Sequence, residues 1–352
     1  MIEKNNLGGV CLNEGCIPTK TLLYSAKTYD SAKHASKYAI NVSEVSFDLS
    51  KIIVRKSKVV RKLVLGVKAK LASNNVAIVS GEAQIIDKNT VRCGEETYEG
   101  ENLILCTGSE TFIPPIPGVE TVNYWTHRDA LDNKELPASL AIVGGGVIGM
   151  EFASFFNSLG VQVTVVEMLD EILGGMDKEL SALLRAEYAK RGIKFLLSTK
   201  VVGLSQMEGA AVVSYENAEG SGSVVAEKLL MSVGRRPVTK GFGLENLNLE
   251  KTERGAVKVD EKMQTSVPGV YVCGDLTGFS LLAHTAVREA EVAVHSILGK
   301  EDTMSYRAIP GVVYTNPEIA GVGETEESAS TKGINYQVIK LPMAYSGRFV
   351  AE

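Results

Sequence analysis

Gly9-Val10-Cys11-Leu12-Asn13-Glu14-Gly15-Cys16-Ile17-Pro18-Thr19-Lys20 is the stretch on which the reading of this 352-residue chain turns. Two cysteines lie five residues apart. A proline acceptable in a helix's first turn follows, then a lysine one turn past the second sulfur. On a continuous helix five residues advance about 7.5 Å along the axis and their side chains diverge, whereas a disulfide needs its Cα atoms within ~7 Å. A bridge therefore requires irregular backbone around Asn13 and Gly15, with a regular helix starting near Cys16. A thiolate at Cys16 then meets the positive end of that helix and the Lys20 ammonium, both of which lower a thiol pKa. The plainer alternative is two free cysteines beside a surface turn. The flanking Gly8-Gly9 and Pro18-Thr19-Lys20 favour the bridged pair, a couple that exchanges electron pairs with thiols.

A second motif lies further along. Leu140-Ala141-Ile142-Val143 reads as a buried strand, and Gly144-Gly145-Gly146-Val147-Ile148-Gly149 follows at once. A helical pattern then runs to Gly160, and Val161, Val163 and Val165 begin the next strand, which ends at Glu167. This is a dinucleotide fingerprint in its strand–turn–helix–strand setting. Gly144 makes the turn, Gly146 admits the pyrophosphate, and Gly149 lets helix meet strand. Glu167 stands at the place of a ribose-binding acid, and Met168 and Leu169 follow it where arginines would greet a 2′-phosphate, so NAD is expected over NADP. Glu151, read from the sequence alone, is a dipole partner in the first turn of that helix.

Composition bounds the rest. The length calls for more than one domain. No apolar run reaches transmembrane length, and no secretory signal is expected. The net charge of −5 gives no whole-chain case for nucleic acid. Residues 51–70 carry eight basic side chains and no acid, with apolar residues at helical spacing; a solvated basic face on a packed helix is expected rather than a membrane or nucleic-acid surface. Cys93, Cys106 and Cys273 lie singly in apolar surroundings and read as buried thiols. One redox pair among five cysteines fits a reducing, cytoplasmic setting, and the four histidines show no zinc-like spacing, so no metal is expected.

Taken together, Gly8-Gly9-Val10-Cys11 through Lys20 and the motifs after it resemble the pyridine nucleotide–disulfide oxidoreductases, most of all those members that reoxidise dihydrolipoyl groups. The resemblance covers essentially the whole chain. It implies an α/β fold of two interleaved Rossmann-like nucleotide-binding domains, for FAD and NAD, plus the start of an α+β dimer-interface domain. Residues 1–118 would be the FAD domain lacking its first βαβ unit, 119–239 the NAD domain, 240–305 the return to the FAD domain, and 306–352 part of the dimerisation domain. Pro114-Pro115-Ile116-Pro117-Gly118 reads as a stiff linker.

The same resemblance assigns roles. Cys11 would exchange with substrate and Cys16 face the flavin, with Lys20 near the ring and paired to Glu151. FAD would be held by Glu3 (adenosine ribose), Lys20, Ala83, Thr107-Gly108-Ser109, Asp275 (ribityl hydroxyls) and Leu281-Leu282-Ala283-His284. NAD would be held by Gly144, Gly146, Val147, Ile148, Gly149, Glu151, Glu167, Val201 and Gly234. Taken alone, the segments at Ser109, Gly234 and Asp275 are ordinary turns after strands. A histidine–glutamate pair, the family's general base, is expected beyond the end of this chain. The implied cycle carries two electrons from a dihydrolipoyl group, on an acyltransferase or glycine-cleavage carrier protein, through the disulfide and flavin to NAD in a homodimer. Its rivals are a non-catalytic NAD-binding fragment and a reductase of glutathione disulfide or Hg(II); Glu14 and Ile17-Pro18-Thr19-Lys20 favour the dihydrolipoyl reading.

Overall fold

The computed structural model describes residues 1–351. A four-stranded parallel sheet lies at the centre, in the order Lys194–Leu196, Gln162–Val166, Ser139–Val143, Lys228–Met231. Its strands read as short apolar runs because both faces are covered. Leu140, Ala141 and Ile142 are fully buried.

Nine α-helices are present among the described residues: α1 (Gly9–Glu14), α2 (Cys16–Lys33), α3 (Leu49–Ser73), α4 (His127–Asp132), α5 (Val147–Ser158), α6 (Lys178–Lys190), α7 (Ala283–Ile297), α8 (Glu326–Thr331) and α9 (Gly347–Ala351). Helix α5 buries Phe152, Phe155 and Phe156, which join Leu22 and Leu23 of α2 and Tyr188 of α6 in the largest core cluster. Gly160, with φ 93°, turns the chain after α5 into the next strand. An antiparallel sheet of Lys200–Met207, Ala210–Asn217 and Gly220–Ala226 caps the same unit.

Two parallel strand pairs lie outside the central sheet: Ile2–Glu3 with Val79–Ser80, and Leu103–Leu105 with Val270–Val272. The second pair joins segments far apart in sequence. So does an antiparallel pair, Ser109–Thr111 with Arg235–Pro237, where the chain leaves for the central sheet and returns from it. Near the carboxyl end, Gly311–Val313 pairs with Ile319–Gly321. No helix among the described residues is long and apolar enough to cross a membrane.

The stretch 114–118 is packed on the antiparallel cap: Pro117 O accepts from Leu204 N at 2.8 Å, and a Cβ on Gly118 would stand 1.8 Å from Leu204 O. Two expectations need correction. Cys106 is exposed and Cys93 half-buried; only Cys273 of the three is buried. Cys106 lies just past the end of its strand, where the apolar pattern no longer governs burial.

Candidate active site

Cys11 and Cys16 are joined in a disulfide, with Cα atoms 4.6 Å apart. The geometry comes from one residue. Helices α1 and α2 are separated by Gly15 alone, whose backbone (φ −135°, ψ −107°) breaks the helix and brings its two ends together. A Cβ there would lie 3.0 Å from Val10 O and 3.2 Å from Cys11 Cα. Asn13 was expected to share the irregularity and does not. It is helical, and its Nδ2 donates to the carbonyls of Leu7 (3.0 Å) and Gly9 (2.9 Å), holding the amino end of α1. Gly8, at φ 101°, starts that helix, and a Cβ on it would collide with Leu12 at 2.3 Å.

Cys16 is the first residue of α2, and the preceding Gly15 offers no side-chain cap. The sulfur therefore sits at the positive end of an 18-residue helix. Lys20 follows one turn on, and its Nζ donates to both oxygens of Glu151, at 2.9 and 3.0 Å. Glu151 is 4% exposed, lies beyond the first turn of α5, and also accepts from Tyr314 N at 3.1 Å. Of the two readings of Glu151, dipole partner or partner of a distant cation, the ion pair is the one realised. The Lys20 ammonium stands 4.6 Å over the Tyr314 ring, so segments 131 and 163 residues apart from Glu151 converge on one carboxylate.

The acid between the sulfurs is also engaged. Arg128 donates from Nε and Nη2 to the two oxygens of Glu14, both at 2.6 Å. Arg128 holds the Glu14 carboxyl below the usual carboxylate range. Beside it His127, 5% exposed, meets the Thr111 hydroxyl through Nδ1 at 3.1 Å, while its buried Nε2 has no protein partner. Burial first, and then the Arg235 and Arg128 guanidiniums, depress His127 to about 4.

A third group lies at the strand ends. Ser109 Oγ donates to Asp275 and accepts from Arg235 Nε at 2.7 Å, and Arg235 Nη2 donates to Ser109 O at 2.6 Å. Thr107 Oγ1 donates to Val238 O, Gly108 O accepts from Val238 N, and Gly234 O accepts from Phe112 N, so these turns are laced together. Asp275 follows the carboxyl end of Val270–Val272, the position where open α/β sheets take ligands. Just after it, α7 begins at Ala283 with no side-chain cap, and Leu281 and Leu282 are exposed in front of it. His284 uses its Nε2 on Pro310 O at 3.0 Å. Behind Asp275, Glu289 is fully buried and accepts from Gly274 N and the Tyr306 hydroxyl; burial pushes its carboxyl up. Ala83 and Ile2, the neighbour of Glu3, pack against the core cluster of Leu105, Val270 and Val272 that underlies this group. Glu3 accepts from Asn5 N, and Ala83 pairs with Cys93 in a separate antiparallel sheet.

The glycine loop is equally definite. Gly144 has φ 103°, and its would-be Cβ meets Ser232 O at 2.5 Å. A Cβ on Gly149 would stand 2.1 Å from Gly144 O, so only glycine lets α5 approach the strand this closely. Gly146, by contrast, faces open space, and α5 has no side-chain cap. Free amides of Val147 and Ile148 above an unobstructed glycine fit a pyrophosphate. Glu167 accepts from Gly145 N (2.6 Å) and Leu169 N (2.8 Å), which sets its carboxylate at the rim of that loop. Val201 is the second residue of the neighbouring strand, two residues after Thr199, whose amide donates to Glu167 O. The residues present therefore fit a dinucleotide over α5, and the Asp275–α7 corner fits the polar and apolar parts of a flavin.

Arg128, Arg235, His127, Glu289 and Tyr314 were not expected from sequence. None has a local motif; each acts on a residue more than a dozen positions away.

Comparison with known proteins agrees with this geometry. Residues 1–290 match the family model described as pyridine nucleotide-disulphide oxidoreductase, and residues 309–352 match its dimerisation domain. The chain is 38% identical to a dihydrolipoyl dehydrogenase of Geobacillus stearothermophilus over all of its own length and 75% of the relative's. It is 40% identical to the enzyme of that name from Thermus scotoductus over 99% of this chain and 75% of the relative. Among solved structures it resembles LpdA of Mycobacterium tuberculosis (TM-score 0.91, 25% identity, 99% of this chain and 77% of that one). It also resembles the HOCl-induced flavoprotein disulfide reductase RclA of Escherichia coli (TM-score 0.85, 30% identity, the same coverage). A disulfide bridged across the break between two helices, on a chain whose length is matched throughout, places this protein in the pyridine nucleotide-disulphide oxidoreductase family.

Proposed function

We propose that the chain is a dihydrolipoyl dehydrogenase that oxidises dithiols at Cys11–Cys16. The observation that carries this is the bridge itself at the amino end of α2, one turn from the Lys20–Glu151 ion pair. A substrate thiolate attacks Cys11 Sγ, the Cys11–Cys16 bond breaks, and Cys16 leaves as the thiolate. The helix amino end and the Lys20 ammonium stabilise that charge. The second substrate thiol then attacks its own sulfur in the mixed disulfide, releasing Cys11 and a cyclic disulfide product. Two electrons now reside in the Cys11/Cys16 dithiol, and the substrate's protons pass to Cys11 and to solvent. FAD and NAD, the family's cofactors, supply the two-electron and hydride chemistry that reoxidises the pair.

The domain division supporting this reading assigns residues 119–239 to NAD, the segments on either side to FAD, and 306–352 to dimer contact. Glu167, at the rim of the glycine loop, would accept the ribose hydroxyls, while Asp275 with Ser109 would meet the flavin's ribityl chain. Lipoyl groups on acyltransferase or glycine-cleavage carriers are the proposed source of the dithiol. The test is a set of rates with NADH against lipoamide, glutathione disulfide and Hg(II), read beside the visible spectrum of the protein. A flavin band with lipoamide as the preferred acceptor is expected. A colourless protein, or glutathione disulfide or Hg(II) as the better acceptor, overturns the assignment.

A further inference from the structure

The acid inside the redox loop has a tie outside it. Glu14 ends α1, where a carboxylate opposes the helix dipole. Arg128 grips it through two parallel hydrogen bonds, which fix orientation as well as charge. Arg128 itself belongs to α4, a helix held by a Thr126–Asp129 capping box and by Ala130 and Leu131, both buried in the main core. Helix α1 is likewise six residues long but buries none of them, and a helix this short does not persist unaided.

While the disulfide is closed, a covalent bond fixes Cys11 against Cys16. Once it opens, that tie is gone. The Asn13 hydrogen bonds end on Leu7 and Gly9, within the same segment, and hold it to nothing else. We propose that Glu14 and Arg128 form a positioning pair that keeps the Cys11 turn against Cys16 in the dithiol state, so that the two thiols close again readily. The proposal rests on the thiol-exchange reading of the site. In the exchange that measures it, two thiols of a dithiol and the Cys11–Cys16 disulfide become one cyclic disulfide and two cysteine thiols. No electron or proton is left over.

The purified chain is equilibrated anaerobically with graded mixtures of dihydrolipoamide and lipoamide, without nicotinamide nucleotide. The free thiols are then alkylated and counted by mass. Glu14→Gln and Arg128→Met should each weaken closure about tenfold, or ~30 mV toward easier reduction. The double variant should match either single one, because all three lose the same fork. Glu14→Gln is nearly isosteric and keeps the test open should Arg128→Met fold poorly. If the pair acted only through charge, the two single variants would shift in opposite directions, one removing an acid and the other baring it; that result overturns the proposal. So do variants that close as tightly as the parent. A parent chain whose cysteines exchange with no dithiol overturns the proposed function as well, and so separates the two failures.

Discussion

At the scale of single residues, the site is set by groups whose partners are remote in sequence. His127 is the sharpest case. Buried beside Arg235 and Arg128, it is depressed to about 4 from an ordinary value near 6.5. The unfolded chain therefore binds a proton that the folded chain refuses in the window between those values, and stability falls as pH drops through it. The contribution is on the order of 3 kcal/mol when the window has been crossed. Urea midpoints at about pH 7 and about pH 4.5 should fall further for the parent than for His127→Gln. An equal fall in both would mean that His127 is not the group that takes up the proton. Nothing in Trp125-Thr126-His127-Arg128 announces this: a lone histidine carries no spacing signal, and its environment is built from strands far along the chain. Lys20 is legible because helix spacing ties it to Cys16, and the cysteine pair because its flanking glycines and Pro18-Thr19-Lys20 are all local. The expected irregularity at Asn13 was wrong because a single glycine suffices to break the helix, and Asn13 serves the helix better by binding its first carbonyls.

At the scale of elements, the strand–loop–helix around Gly144 was readable nearly to the residue. Gly144 and Gly149 each answer a local demand that no other residue meets. Gly149 marks the point where α5 crosses its strand. Gly149→Ala would press a Cβ to 2.1 Å from a backbone oxygen and 2.8 Å from Ser232 Oγ, and backbone does not yield cheaply. We expect a loss of about 2–3 kcal/mol in denaturant unfolding and at least a tenfold rise in the NADH dissociation constant by fluorescence titration. An unchanged midpoint would show that α5 can slide on the sheet. The basic run at 51–70 reads correctly as one face of a helix, and α3 is that helix. What its spacing hides is Lys56, which turns inward. Its buried Nζ donates to Leu131 O at 2.9 Å and to Asp132, at the carboxyl end of α4. A cation there completes the orphan carbonyls of that helix, and hydropathy counts it as one more surface charge.

At the scale of the molecule, two assemblies of residues depend on tertiary convergence: the Ser109–Arg235–Asp275 cluster and the Lys20–Glu151–Tyr314 group. The order of motifs along the chain foretold which units exist, while the contacts between units came only with the fold. The carboxyl-terminal segment carries its own consequence. Ile339, Leu341 and Tyr345 are 81%, 76% and 80% exposed, within residues that match a dimerisation domain. Apolar side chains so displayed seek cover. Sedimentation should show self-association that rises with concentration and weakens on Leu341→Asp; a strictly monomeric parent at all concentrations would contradict this.

The antiparallel pairing of Thr111 with Arg235 and Ser109 with Pro237 sets the outgoing and incoming strands shoulder to shoulder. Along the backbone, everything threaded between them passes through a single doorway, whose two posts are already close enough for a tight turn to join. The nucleotide-loop region is thus a graft in connectivity only: its removal would leave no gap for the chain to span, but would bare the faces of α2 and α3 that share its core and would strand the Lys20 and Lys56 ammoniums without their partners.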